Sequence, residues 1–250
     1  MFTEESRQLM GIIITTVRLF SLGRNLGAAI LVLTVAFIVC IRWWYLNIPT
    51  HVLGQFEPRW ISTLEIAPTL AGCIAIAMVA PIVPITDIFA APWPRKMSVL
   101  FAFLTATAAF LCAPLAILVL HLIPRNYIPH HEMYLLDQQP FSAVADFPYV
   151  ISVSLNTATI VGLSMVMIAL LGRHWGLLAS IILYGAVIVF QSSPSASWLP
   201  LAGSPGWEHG AFAVRGVIAL LSTSLGLVTW FFTRAAAPLT RRGHAADTRG

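Results

Sequence analysis

The sequence predicts an all-α protein built of membrane-spanning helices. Three observations predict it: 58% of the 250 residues are apolar, only 10% are charged, and the apolar residues fall in long continuous runs. Soluble globular domains carry roughly 25% charged residues, so a surface of this size could not be clothed in water by so few. A mean hydropathy of +0.84 agrees. Continuous runs suit helices, which satisfy their backbone groups internally; barrel strands would alternate in and out.

A helix needs about 20 apolar residues to cross a bilayer, and six stretches approach or exceed that. Ahead of the first, from Ser6 to Arg24, Leu9, Ile12, Ile13, Val17 and Phe20 recur at spacings of three and four, while Arg7, Thr15, Arg18 and Arg24 lie largely off that stripe. This pattern predicts an amphipathic helix lying in the membrane plane. The spans then run from about Asn25 to Tyr45, Ile66 to Ile85, Met97 to Ile123, Phe147 to Leu171, Trp175 to Gln191 and Ala211 to Phe232. Pro68, Pro81 and Pro84 in the second and Pro114 in the third imply kinks. No linker of domain length interrupts the chain, so one transmembrane domain is expected: residues 1–24 as the lead, 25–234 as a six-helix bundle and 235–250 as a cytoplasmic tail.

Orientation follows from Lys and Arg. With the N-terminus in the cytoplasm, the inner segments hold ten basic residues and the outer segments four, namely Arg42, Arg59, Arg125 and Arg215. The bias places both termini inside. Trp43, Trp44 and Tyr45 at the end of the first span and Trp175 at the start of the fifth suit the interface. The net charge of +4 is accounted for by this arrangement, and no nucleic-acid partner is expected. The apolar stretch near the N-terminus is broken by Arg18 and Arg24, so no cleavable signal peptide is expected.

The chemistry-bearing residues argue mostly by exclusion. Lys96 is the only lysine and no glycine-rich loop precedes it, so the chain lacks the P-loop that ATP hydrolysis by that route needs. Cys40, Cys73 and Cys112 sit in apolar runs without a CxxC pair and are read as small core residues. His130, His131 and Glu132 cluster in an outer loop; a metal site wants three or four convergent ligands, and a solvated loop is the preferred reading. No HExxH or pair of mid-span aspartates points to intramembrane hydrolysis. Glu65 and Asp87 at the two ends of the second span and Arg215 one turn inside the sixth are expected to snorkel to the surface. The fourth span is enriched in Ser152, Ser154, Asn156, Thr157, Thr159 and Ser164, which suits close helix packing or a pathway or dimer wall.

An amphipathic lead, six spans with both ends inside, a short inner loop after span two and a Trp- and Pro-rich outer segment before span six form a layout that resembles the permease subunits of ABC-2-type exporters, including small permeases of bacteriocin or antibiotic export and immunity. The resemblance covers nearly the whole chain and rests on architecture. It implies a permease in the bacterial inner membrane that works as a homo- or heterodimer, in lipid, with a separate ATPase subunit carrying ATP and Mg. It implies an ATPase-coupling loop at Thr86, Asp87, Ile88, Phe89, Arg95 and Lys96. It also implies an outer gate that includes Trp198, Leu199, Trp207 and Glu208. No cofactor and no catalytic residue is expected in this chain itself. Two other classes remain open on sequence: a non-transport membrane subunit of a larger respiratory or assembly complex, and a membrane enzyme or metal-handling protein.

Overall fold

The computed structural model describes residues 24–44, 46–50, 59–81, 92–123, 147–191 and 209–233. Among these are six helices and one two-stranded hairpin. Helix α1 spans Leu26–Arg42, β1 Asn47–Thr50, β2 Arg59–Ser62, α2 Thr63–Val79, α3 Pro92–Leu122, α4 Phe147–Leu171, α5 Arg173–Gln191 and α6 His209–Thr233. The six helices coincide with the six predicted runs. Three segments, Lys96–Leu120, Tyr149–Leu171 and Ala213–Thr233, are long and apolar enough to cross a membrane. The apolar helices Leu26–Arg42, Thr63–Val79 and Arg173–Val189 are shorter.

The chain is helical as expected, with one short hairpin between α1 and α2 that the sequence did not suggest. β1 and β2 pair antiparallel, with Asn47 opposite Ser62 and Thr50 opposite Arg59. It passes straight into α2. Ser62 caps the helix by accepting from the backbone N–H of Leu64 at 3.1 Å, as an N-cap serine does. Thr63 donates to the Leu46 carbonyl from its backbone N–H at 3.0 Å and from its hydroxyl at 2.8 Å.

Helix α2 is shorter than the predicted run, which extended to Ile85. Ala80 has left the helix with ψ at 142°, because the ring of Pro81 disfavours the helical conformation in the residue before it. At its other end α2 begins three residues earlier than the apolar pattern, since Ser62 supplies the cap. Helix α3 likewise begins five residues early, on Pro92, whose missing N–H and fixed φ suit the first helical position. Between α4 and α5 stands a single residue, Gly172, with φ at 86°. Only glycine adopts that left-handed conformation readily, so the chain reverses there in one step.

Helix α4 sits at the centre and packs against α2, α3, α5 and α6, while α1 lies along α2 and α3. The tightest crossing is between α4 and α6. A Cβ on Gly226 would stand 2.6 Å from the carbonyl oxygen of Gly162, and one on Gly162 would stand 2.6 Å from the backbone nitrogen of Thr223. Two backbones approach this closely only where side chains are absent.

The bundle is apolar on its outer surface, and its largely apolar interior also encloses the polar face of α4. Ser152, Ser154, Asn156, Thr157, Thr159 and Ser164 of α4 are buried, whereas Leu220 and Leu221 of α6 are 68% and 62% exposed. Ile30, Leu31 and Ile38 of α1, Leu104, Leu115 and Leu118 of α3 and Ile182 of α5 are exposed in the same way. An outer surface of this kind is stable against hydrocarbon and not against water.

Candidate functional site

Two polar clusters, one at each end of the bundle, join helices far apart in sequence. At the first end, Arg24, immediately before α1, is only 2% exposed. Its guanidinium donates to the carbonyl oxygen of Val79, the last residue of α2, at 3.0 Å and to the Ser98 hydroxyl of α3 at 2.7 Å. The indole N–H of Trp230 in α6 donates to the same Ser98 oxygen at 2.9 Å. No carboxylate takes part in these bonds. The cation rests on the C-terminus of α2, where carbonyls left without helical partners carry partial negative charge. Arg24 is therefore an interior pin, in contrast to its expected place on the polar face of an interfacial lead.

At the opposite end, Glu65 lies in the first turn of α2. Its carboxylate accepts from the side-chain amide of Asn156 in α4 at 3.3 Å. Arg215 of α6 donates to the Ser152 hydroxyl of α4 and attracts Glu65 electrostatically. Arg215 is 8% exposed, and Glu65 is half-buried. Arg215 corrects the expectation that these charges snorkel to the surface, whereas Glu65 keeps part of its surface open. Arg215 sits on the inward stripe of α6 with Ala219, Ser222, Gly226 and Trp230, all of them buried. A side chain on that stripe points at α4, where Ser152 and Asn156 meet it, and has no outward course to take.

Between the two ends runs a seam of smaller polar contacts. Thr69 of α2 and Thr157 of α4 share a hydrogen bond at 3.0 Å. Ser154 and Thr159 turn back onto their own helix, donating to the carbonyls of Val150 and Leu155 at 2.8 and 2.9 Å. The Thr223 hydroxyl of α6 reaches the Ala158 carbonyl at 3.4 Å. The polar face of α4 is thus covered by the chain's own helices. Beside it, an apolar groove of about 250 Å³ opens between α3, α4 and α6, with Ala106, Phe110, Ala158, Gly216 and Leu220 on its walls.

Ser152, Ser154, Asn156, Thr157 and Thr159 are thereby brought together on one buried helix, and Asn156 and Ser152 join the two charges. Of the expected coupling residues, Lys96 is exposed near the start of α3 and Arg95 lies in the same helix, at the Arg24 end. Thr86, Asp87, Ile88 and Phe89 lie outside the described residues, as do Trp198, Leu199, Trp207, Glu208, His130, His131, Glu132 and the predicted lead up to residue 23. Among the described residues no three His, Cys, Asp or Glu side chains gather as a metal site would. Cys40, Cys73 and Cys112 are buried and unbridged.

Sequence reasoning passed over Ser98, Trp230, Thr69 and Tyr184, and misplaced Arg24 and Arg215. For Arg215 a signal was present: Ala219, Ser222 and Gly226 follow it at helical spacing on one face, and a small-residue face in a membrane helix is its packing face. No family model, curated protein or solved structure matches this chain.

Proposed function

We propose that the chain is the membrane-embedded permease subunit of an ATP-driven exporter, with six membrane helices, both termini in the cytoplasm, and a separate ATPase subunit supplying the energy. The observation that carries this reading is a bundle with an apolar exterior in which a buried polar face of α4 is held against α2 and α6 by a few side-chain hydrogen bonds. A permease needs helices with two discrete packings rather than a catalytic group. Few polar ties between helices, at the ends and along the seam of α4, give such packings something to break and remake. The groove beside α4 supports the same reading, since it gives an apolar cargo a place against the helices that would move.

In this reading the chain between α2 and α3 meets the ATPase at the Arg24 end, and Lys96 presents a positive charge there. Pull-down of the tagged chain from its native membrane in mild detergent tests it. The expected outcome is a stoichiometric ATPase of roughly 25–35 kDa, within the usual range for one nucleotide-binding domain. Its absence, with the chain intact and monodisperse, would leave the larger-complex or metal-handling classes, which copurification and metal analysis then separate. A finer test is Ile88→Asp with Phe89→Asp, which should leave assembly of the ATPase intact while uncoupling its activity from transport.

A further inference from the structure

Cys40 of α1 and Cys112 of α3 are both buried, at 0% and 4% exposure, and share one apolar cluster with Ala36, Ala113 and Ala116. Their thiols face each other as hydrogen-bond partners, and no disulfide joins them. They lie far apart in sequence, so no short motif marks the pair.

Their meeting follows from the register of two helices that run in the same direction. Arg24, ahead of α1, bonds Ser98 near the start of α3. Further along, Ala29 shares a cluster with Ala102 and Ala106, and Cys40, near the end of α1, shares one with Cys112, Ala113 and Ala116. Arg24 and Ser98 are 74 positions apart. Helices that rise equally per residue keep such an offset, and Cys40 and Cys112 are 72 positions apart. The length of the arginine side chain spans the small difference. The two thiols therefore stand at the level that the register sets, about 24 Å along the chain axis from Arg24.

The surroundings permit a bond. A disulfide brings its sulfurs to about 2.05 Å and its Cβ atoms to about 3.8 Å, so thiols already in hydrogen-bond contact have a short gap to close. The buried neighbours along both helices are alanines, Ala36 on α1 and Ala109, Ala113 and Ala116 on α3. Small side chains let two helices approach closely. Cys73, on α2, lies in another cluster with Ile160 and Tyr184 and does not compete for either thiol.

We propose that Cys40 and Cys112 are a disulfide-forming pair, oxidised by an apolar hydroperoxide, that staples the end of α1 to α3. Cys112, the less completely enclosed of the two, attacks the peroxide oxygen. The O–O bond breaks, the thiol hydrogen leaves with the departing alcohol, and the sulfur becomes a sulfenic acid. The Cys40 sulfur then forms the S–S bond and expels the hydroxyl, which leaves with the Cys40 hydrogen as water. The two thiols lose two electrons and two hydrogens, and the hydroperoxide is reduced to alcohol and water. Arg24 already ties the start of α1 to α3; the bond ties its other end, so the two helices can no longer part. This site goes beyond the permease reading and stands without it, since it is tested on this chain alone.

The test is treatment of the purified full chain, in nanodiscs, with cumene hydroperoxide. Denaturation, blocking of free thiols with N-ethylmaleimide and peptide mass mapping follow. One peptide pair linked through Cys40 and Cys112 is expected, with Cys73 carrying the maleimide. The melting temperature should rise by roughly 5–10 °C and return to its starting value with dithiothreitol. Cys73→Ala should leave the link unchanged, whereas Cys40→Ala should remove both the link and the rise. If Cys40→Ala does not remain monodisperse, the maps of the unsubstituted chain and of Cys73→Ala decide the matter. Links to Cys73 in comparable yield, sulfinic acid at either position without a link, no oxidation of either thiol, or a link that leaves the melting temperature unmoved would overturn the proposal.

Discussion

The Arg24 end and the Arg215 end use the same side chain for different ends. Arg24 is tied to a helix terminus and a serine that a tryptophan also holds, with no carboxylate in those bonds. Arg215 is tied to a serine as well, but an acid stands across from it, and that acid is held by an asparagine whose oxygen is left over. The first arrangement spends its donors on one backbone carbonyl and one serine hydroxyl and so fastens four parts of the chain, the start of α1, the end of α2, α3 and α6. The second contains two opposite charges within electrostatic reach of one another, each held by a polar side chain of α4. A satisfied polar cluster rigidifies, whereas one with unmet groups is poised to accept a partner or rearrange.

This contrast can be broken in several ways. The largest effect is expected at the charge pair. Arg215→Met should destabilise the purified chain by about 2–3 kcal/mol, because Ser152 loses a charged hydrogen-bond donor and Glu65 a nearby positive charge. Adding Glu65→Gln should restore much of that, with a coupling of roughly 1–3 kcal/mol; thermal unfolding in detergent reads both. A double-variant loss equal to the sum of the two single losses would mean that the two residues act separately.

Next comes Arg24→Gln, for which a loss of about 2–3 kcal/mol is expected, since hydrogen bonds to a charged donor are removed from the end of α2. No second substitution at Glu65 or Arg215 should rescue it, and rescue would show that the two ends are not distinct. The smallest effect at that end is expected from Trp230→Phe, about 1 kcal/mol for one neutral hydrogen bond. Protection of the α6 amides from hydrogen exchange should fall locally near residue 230 and leave the Arg215 end as it was.

Most of the helical layout was legible in the sequence, because a long apolar run has few alternatives in a chain with so few charges. Helix α4 begins and ends on the residues that the pattern marks. The ends that differ are decided by capping and proline chemistry, which hydropathy does not register: Ser62 starts α2 early, and Pro81 stops it. The hairpin was not legible. Its strands are four residues long, one contains Pro49, and their pairing depends on contacts across intervening chain. The polar character of α4 was visible, yet the choice between a packing face and a pathway wall was not, because that depends on which helices lie opposite. Arg215 and Glu65 illustrate the point. Near the end of a span, a charge has a course to the surface or to the interior, and the neighbours on its own stripe decide which.

The single residue between α4 and α5 has a consequence for how the chain is made. With only Gly172 linking them, the two helices have no slack with which to be threaded one after the other. If both cross a bilayer, as proposed above, they enter together as a preformed hairpin, the longer α4 carrying the shorter α5 with it. Lengthening that link with a polar insert would give α5 a separate fate, left at the surface during synthesis, and the defect would be one of biogenesis before it was one of folding.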